Sequence, residues 1–104
     1  MAGFLSRLFG LEDKADFKAL LEDGAILLDV RTKEEYRQGA ASGSINIPLD
    51  SLSNNLMKLE KNKTIIVVCA SGVRSRSAAA FLRNNGFSEV YNGGSWSNFS
   101  NTRQ

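Results

Sequence analysis

Apolar residues fall along the chain in two rhythms. One is helical. Phe17, Leu20 and Leu21 share a face within residues 14–22, a run that Asp13 can cap and Gly24 follows. The other rhythm is continuous. Ala25-Ile26-Leu27-Leu28-Asp29-Val30 and Thr64-Ile65-Ile66-Val67-Val68 suit strands buried on both faces of a parallel sheet. Between them, Thr32 and Glu35 have the spacing of a capping box ahead of a short helix over Lys33 to Gln38. Ile45-Asn46-Ile47 predicts a brief strand that stops at Pro48. Asp50 or Ser51 can cap a helix running to about Lys61, with Leu52, Leu56, Met57 and Leu59 as its apolar set. An alanine-rich helix is expected from Ser75 to Asn85, with Gly86 ending it. Glu89-Val90-Tyr91 predicts a last strand, Asn92 to Ser95 a turn, and Trp96 and Phe99 a final helical turn. Alternating helices and strands predict an α/β fold, with one mostly parallel sheet of four to five strands and helices on both faces.

Residues 14–100 are read as the one domain, residues 1–13 as an N-terminal amphipathic segment and residues 101–104 as a polar, frayed tail. In the first segment Phe4, Leu5, Leu8 and Phe9 share a helical face. Arg7 interrupts a run shorter than a signal-peptide core or a membrane span. A short helix packed on the domain is expected, with a weak membrane-surface or partner contact as the rival reading.

The 104 residues suffice for one core. A net charge of +2 without a basic block gives no sign of nucleic-acid binding. A cytoplasmic protein is expected, and nothing demands more than a monomer. The single Cys excludes an internal disulfide, a Cys-x-x-Cys pair and a cysteine zinc site. The absence of His removes Ser-His and Cys-His pairs. No metal or cofactor is expected. A covalent step, if there is one, falls to Cys69, activated without an imidazole.

Cys69-Ala70-Ser71-Gly72-Val73-Arg74-Ser75 joins the apolar strand to the alanine-rich helix. The carboxyl end of a strand is where open α/β sheets place ligand sites, and Asp29 ends its own strand on the same edge. The thiolate is the reactive form of cysteine. A helix N-terminus favours an anion, Gly72 lets successive N–H groups curl inward as a nest, and Arg74 adds a positive charge. One unit of pKa lowering requires about 1.4 kcal/mol, and a helix terminus gives up to about 2 kcal/mol. A drop of one to two units is therefore within reach. The bland alternative is a small buried hydrophobe, as many free cysteines are. The Gly, the Arg and the helix start argue against it.

Four blocks of residues resemble the rhodanese-like sulfurtransferase family. They are Leu28-Asp29-Val30-Arg31 with Glu34-Glu35-Tyr36, Gly43 to Pro48, Cys69 to Ser75, and Gly86-Phe87 through Val90-Tyr91 to Gly93-Gly94. The likeness runs over roughly residues 14–96. It implies a parallel sheet flanked by helices and a cysteine that cycles through a persulfide. Sulfane sulfur would come from a small anionic donor such as thiosulfate and pass to cyanide or a thiol, a protein thiol included. Where members commonly carry Gly-His-Ile-x-Gly, this chain reads Gly39-Ala40-Ala41-Ser42-Gly43. The missing His and Ile bear on packing or a hydrogen bond near the site more than on chemistry.

On this reading Cys69 is the nucleophile. The backbone N–H groups of Ala70, Ser71, Gly72, Val73, Arg74 and Ser75 cradle the outer sulfur. Ser71 or Ser75 can add a hydroxyl donor, with a helix cap the default role for Ser75. Arg74 either binds the anionic donor or pairs with an acid to hold the loop. Asp29 and Arg31 are a supporting pair, and Glu35 a cap that borders the entrance. A non-catalytic carrier or protein-binding module, and a relative of phosphatases and arsenate reductases, are the alternatives. Those enzymes carry one more residue than the four that separate Cys69 from Arg74 here.

Overall fold

The computed structural model describes residues 16–99. The predicted N-terminal segment 1–13 and the tail 101–104 lie outside them. Four parallel strands form one sheet: β1 (Ile26–Asp29), β2 (Ile45–Asn46), β3 (Ile65–Cys69) and β4 (Val90–Ser95), in the order β2-β1-β3-β4. The α-helices are α1 (Phe17–Glu22), α2 (Lys33–Gln38) and α3 (Val73–Asn84). Three stretches of 3-10 helix cover Leu49–Asn54, Leu56–Lys58 and Trp96–Phe99.

The two-residue period of β3 divides the core. Ile65, Val67 and Cys69 face a cluster that includes Leu28, Leu52, Ala78, Ala79, Leu82 and Phe87. Ile66 and Val68 face Leu21, Leu27, Ala41 and Phe99 on the other side. Every residue of β3 is buried, as a central parallel strand requires. Helices on both faces and a four-stranded parallel sheet agree with the sequence-based expectation. The strand order reverses between β1 and β3, so the crevice for a ligand lies at their carboxyl ends. Asp29 and Cys69 sit there.

Several boundaries differ from those expected. The first helix begins at Phe17, because Asp16 caps it: its carboxylate accepts from the Ala19 N–H at 3.1 Å. The proposed cap, Asp13, is outside the described residues. The helix expected up to Lys61 is instead a pair of 3-10 segments after Pro48. The Asn55 side chain donates to the Ser51 carbonyl at 2.7 Å, the group an α-helix would pair with the Asn55 N–H. That N–H bonds Leu52 instead, which tightens the turn. Leu52 and Leu59 stay buried, but Met57 is 99% exposed, not part of an apolar face.

Asn92 to Ser95 is not a turn. It continues β4, with a bulge: Val67 pairs with Asn92 and Val68 with Gly94, so Gly93 is the extra residue. A Cβ on Gly93 would lie 2.9 Å from Ile66 Cγ2 and 3.0 Å from Phe99 Cζ, so only glycine lets this strand lie against the core.

Candidate active site

β3 delivers Cys69 to the sheet edge, and the chain turns within three residues into α3. Gly72 is the cap of that helix, in the left-handed region at φ 102°. The helix therefore starts at Val73, two residues earlier than the alanine pattern suggests. The Gly72 N–H reaches the Cys69 Sγ at 3.0 Å and the Ser75 N–H reaches it at 3.4 Å. Cys69 is 1% exposed. The Ala70, Ser71 and Val73 side chains point outward, so the loop contributes backbone rather than side chains to its interior.

Burial pushes the Cys69 thiol up. Against it act hydrogen bonds from the Ser75 hydroxyl and N–H, then from the Gly72 and Ser71 N–H groups, and together they hold the thiol below its ordinary value. The lowering comes from fixed donors in a buried site. Arg74 takes another role.

Arg74 turns toward α2. Its guanidinium meets Glu35 as a fork, Nη1 to Oε1 at 2.7 Å and Nη2 to Oε2 at 3.0 Å. Of the two roles open to Arg74, pairing with an acid is the one the geometry displays. Glu35 also closes the capping box: its Oε1 accepts from the Thr32 N–H at 3.0 Å while the Thr32 hydroxyl accepts from the Glu35 N–H. One carboxylate thus ties the start of α2 to the start of α3. The Arg74 fork, helped by the Thr32 N–H, lowers the Glu35 carboxyl to about 2. Glu35 in turn raises Arg74.

At the carboxyl end of β1 lies a second pair, this one buried. Asp29 is 0% and Arg31 3% exposed. Arg31 Nε lies 3.0 Å from both Asp29 oxygens, and Nη2 donates to Oδ2 at 2.8 Å and to the Gly39 carbonyl at 2.7 Å. The guanidinium lies over the Trp96 ring at 4.5 Å. Asn46 Nδ2 pins the same segment through the Asp29 and Arg31 carbonyls, each at 2.9 Å. The pair is thus held by bonds within the protein.

The sequence reading puts a helix cap ahead of a hydroxyl donor for Ser75, and it passes over Asn92. Ser75 does not cap the helix. It is buried, and its hydroxyl donates to Asn92 Oδ1 at 2.6 Å. Asn92 also accepts from the Gly94 N–H at 3.0 Å and donates from Nδ2 to the Gly72 carbonyl at 3.2 Å. The β4 bulge therefore holds the loop through one amide. In the sequence, Asn-Gly-Gly signalled only a turn.

The model of the rhodanese-like domain matches residues 13–102. The chain belongs to the rhodanese-like family. It is 38% identical over 74 residues to the thiosulfate sulfurtransferase GlpE of Pseudomonas savastanoi pv. phaseolicola, covering 71% of this chain and 70% of that protein. Among solved structures, a rhodanese with anions from E. coli superposes with a TM-score of 0.67 at 33% identity, over 71% of this chain and 89% of that one. The reduced CoADR-RHD of Bacillus anthracis gives a TM-score of 0.72 at 36% identity, covering 84% of this chain but 15% of that larger one. In this rhodanese-like chain no helix among the described residues is long and apolar enough to cross a membrane.

Proposed function

We propose that this rhodanese-like chain is a sulfurtransferase that carries sulfane sulfur on Cys69, from a donor such as thiosulfate to cyanide or a thiol. The observation that carries the assignment is the position of the one thiol. It sits at the sheet's switch point, with backbone N–H groups of the loop and of α3 aimed at its sulfur. The thiosulfate sulfurtransferase name of the Pseudomonas relative supports the same reaction.

In the first half-reaction the Cys69 thiolate attacks the outer sulfur of thiosulfate. A new S–S bond forms, the sulfur–sulfur bond of thiosulfate breaks, and sulfite leaves with the electron pair. In the second, cyanide attacks the outer persulfide sulfur, thiocyanate departs, and the thiolate returns. Neither half needs a net proton, which suits a site without an imidazole. The N–H groups from Ala70 to Ser75 hold the negative outer sulfur as preorganised donors. Arg74 acts by fixing the loop to Glu35, and Asp29 with Arg31 supports the floor. The chain's sole thiol must be reduced to begin the cycle, which favours a cytoplasmic setting.

The test is the mass of the intact protein. One added sulfur appears with thiosulfate and is lost with cyanide, and Cys69→Ala shows neither change. Aryl phosphate is not hydrolysed. A wild-type chain that gains no sulfur from thiosulfate or from an organic persulfide overturns the assignment in favour of a non-catalytic module.

A further inference from the structure

The Ser75 hydroxyl stands between two acceptors and has one proton. Its oxygen is 2.6 Å from Asn92 Oδ1 and 3.5 Å from Cys69 Sγ. The Asn92 amide cannot be flipped without loss. Oδ1 faces the Gly94 N–H at 3.0 Å and Nδ2 faces the Gly72 carbonyl at 3.2 Å, so the reverse orientation would set donor against donor and acceptor against acceptor. With Oδ1 as a pure acceptor, the short contact takes the hydroxyl proton. Toward sulfur Ser75 then offers only a lone pair, and the Cys69 S–H is the donor in that contact.

We propose that Asn92 is a positioning residue for Cys69: by holding the Ser75 hydroxyl proton it makes Ser75 an acceptor for the resting thiol, and a donor to sulfur only once negative charge develops there. This rests on Cys69 being the nucleophile. The rotation exchanges one hydrogen bond for another. In the thiol state the chain runs from Sγ–H to Ser75 Oγ, and from Ser75 Oγ–H to Asn92 Oδ1. In the thiolate state the hydroxyl turns to sulfur and leaves Asn92 with the Gly94 N–H. A buried thiolate is a stronger acceptor than an amide oxygen, so the exchange follows the charge.

The consequence is a graded acidity. The hydroxyl can lower the thiol only after giving up Asn92, so the thiolate state forgoes a bond that the thiol state keeps. A buried neutral hydrogen bond is worth about 1 kcal/mol. Releasing Ser75 should therefore shift the thiol downward by about 0.7 pH units, roughly a fivefold rise in thiolate fraction. The charged groups around the loop include the Arg74–Glu35 pair, from α3 and α2, the Asp29–Arg31 pair at the end of β1, and the exposed Arg76 in the first turn of α3. Neither substitution below alters them, and β4 presents Asn92 and Ser95, both uncharged, at this edge.

The experiment reads the thiol itself, with no sulfur donor present, so it is separable from the persulfide test. Alkylation rate against pH is measured for the wild type, Asn92→Ala, Ser75→Ala and the double variant. Asn92→Ala lowers the midpoint by about 0.7 pH units, and the shift disappears in the Ser75→Ala background. A shift that is absent, upward, or undiminished without Ser75 overturns the proposal. Should Asn92→Ala not fold, the S–H stretching band of the single thiol decides. It is displaced to lower frequency in the wild type and rises toward the free-thiol position in Ser75→Ala. A wild-type band already at the free-thiol position overturns the assignment of Ser75 as acceptor.

Discussion

Replacing Glu35 by Gln removes one charge and keeps the rest of the local chemistry, since Gln can close a capping box as Glu does. What is lost is the ionic half of the Arg74 fork, whose contacts are 2.7 and 3.0 Å. Glu35 falls from 4.5 to about 2 on folding. Taken in full, that depression would correspond to roughly 3 kcal/mol. The two side chains are 35% and 36% exposed, however, and water screens the pair. Exposed pairs contribute about 0.2–1 kcal/mol. The fork geometry and the shared Thr32 bonds place this one at the upper end, so Glu35→Gln should cost about 1 kcal/mol at neutral pH, or roughly 4–8 °C in Tm for a domain of this size.

The pH dependence identifies the cause. The folded-state value is depressed, so the stabilisation is complete above the unfolded carboxylate value and is lost as pH falls through about 2. Urea unfolding of wild type and variant should differ by a constant amount from neutral pH down to about pH 5, and by less than half of that near pH 3. A difference as large near pH 3 as at neutrality would show that the carboxylate's charge is not what joins the two helices, and the reasoning would fail.

Gly93→Ala places a Cβ within 3.0 Å of Ile66, Phe99 and Val68. Overpacking of this kind costs about 1–3 kcal/mol, and an unchanged melting temperature would contradict the packing described. Arg31→Met leaves Asp29 buried with an uncompensated charge and should cost about 3–5 kcal/mol. Asp29→Leu combined with Arg31→Met should be less damaging than Arg31→Met alone, a comparison made by denaturant unfolding of both.

How far the sequence could be read depended on how local the signal was. The β3 run and the Gly and Arg after Cys69 lie within a dozen residues, and they place the strand, the loop and the one thiol together. The capping box of Thr32 and Glu35 was legible for the same reason. The misread stretches are those where a side chain takes over a backbone role. Asn55 occupies the Ser51 carbonyl and converts an expected helix into 3-10 turns. Asn92 satisfies the Gly94 N–H at the bulge, where Asn-Gly-Gly otherwise reads as a turn. The pairings Arg74–Glu35 and Ser75–Asn92 span 39 and 17 positions. Nothing in the local pattern could choose between Arg74 as anion ligand and Arg74 as clamp. Only the fold, by bringing α2 beside the start of α3, supplied the acid.

The distribution of charge around Cys69 bears on what the site can recognise. Arg31 and Arg74 are both committed, Arg31 to Asp29 and Arg74 to Glu35, each through two guanidinium nitrogens. A tetrahedral oxyanion such as phosphate is best held by a guanidinium that can fork onto two oxygens, and here each fork already holds a carboxylate. The sulfur is approached instead by backbone N–H groups fixed by a left-handed glycine and a helix start. Those donors are neutral and short in reach, and they cost no reorganisation when charge appears on a single atom between them. Such an arrangement discriminates by the size and place of the charge, since donors misplaced by about 1 Å forfeit about a hundredfold in rate. On the proposed reading one negative outer sulfur carried on Cys69 meets that requirement, and the four residues between Cys69 and Arg74 make a tighter ring than three phosphoryl oxygens call for.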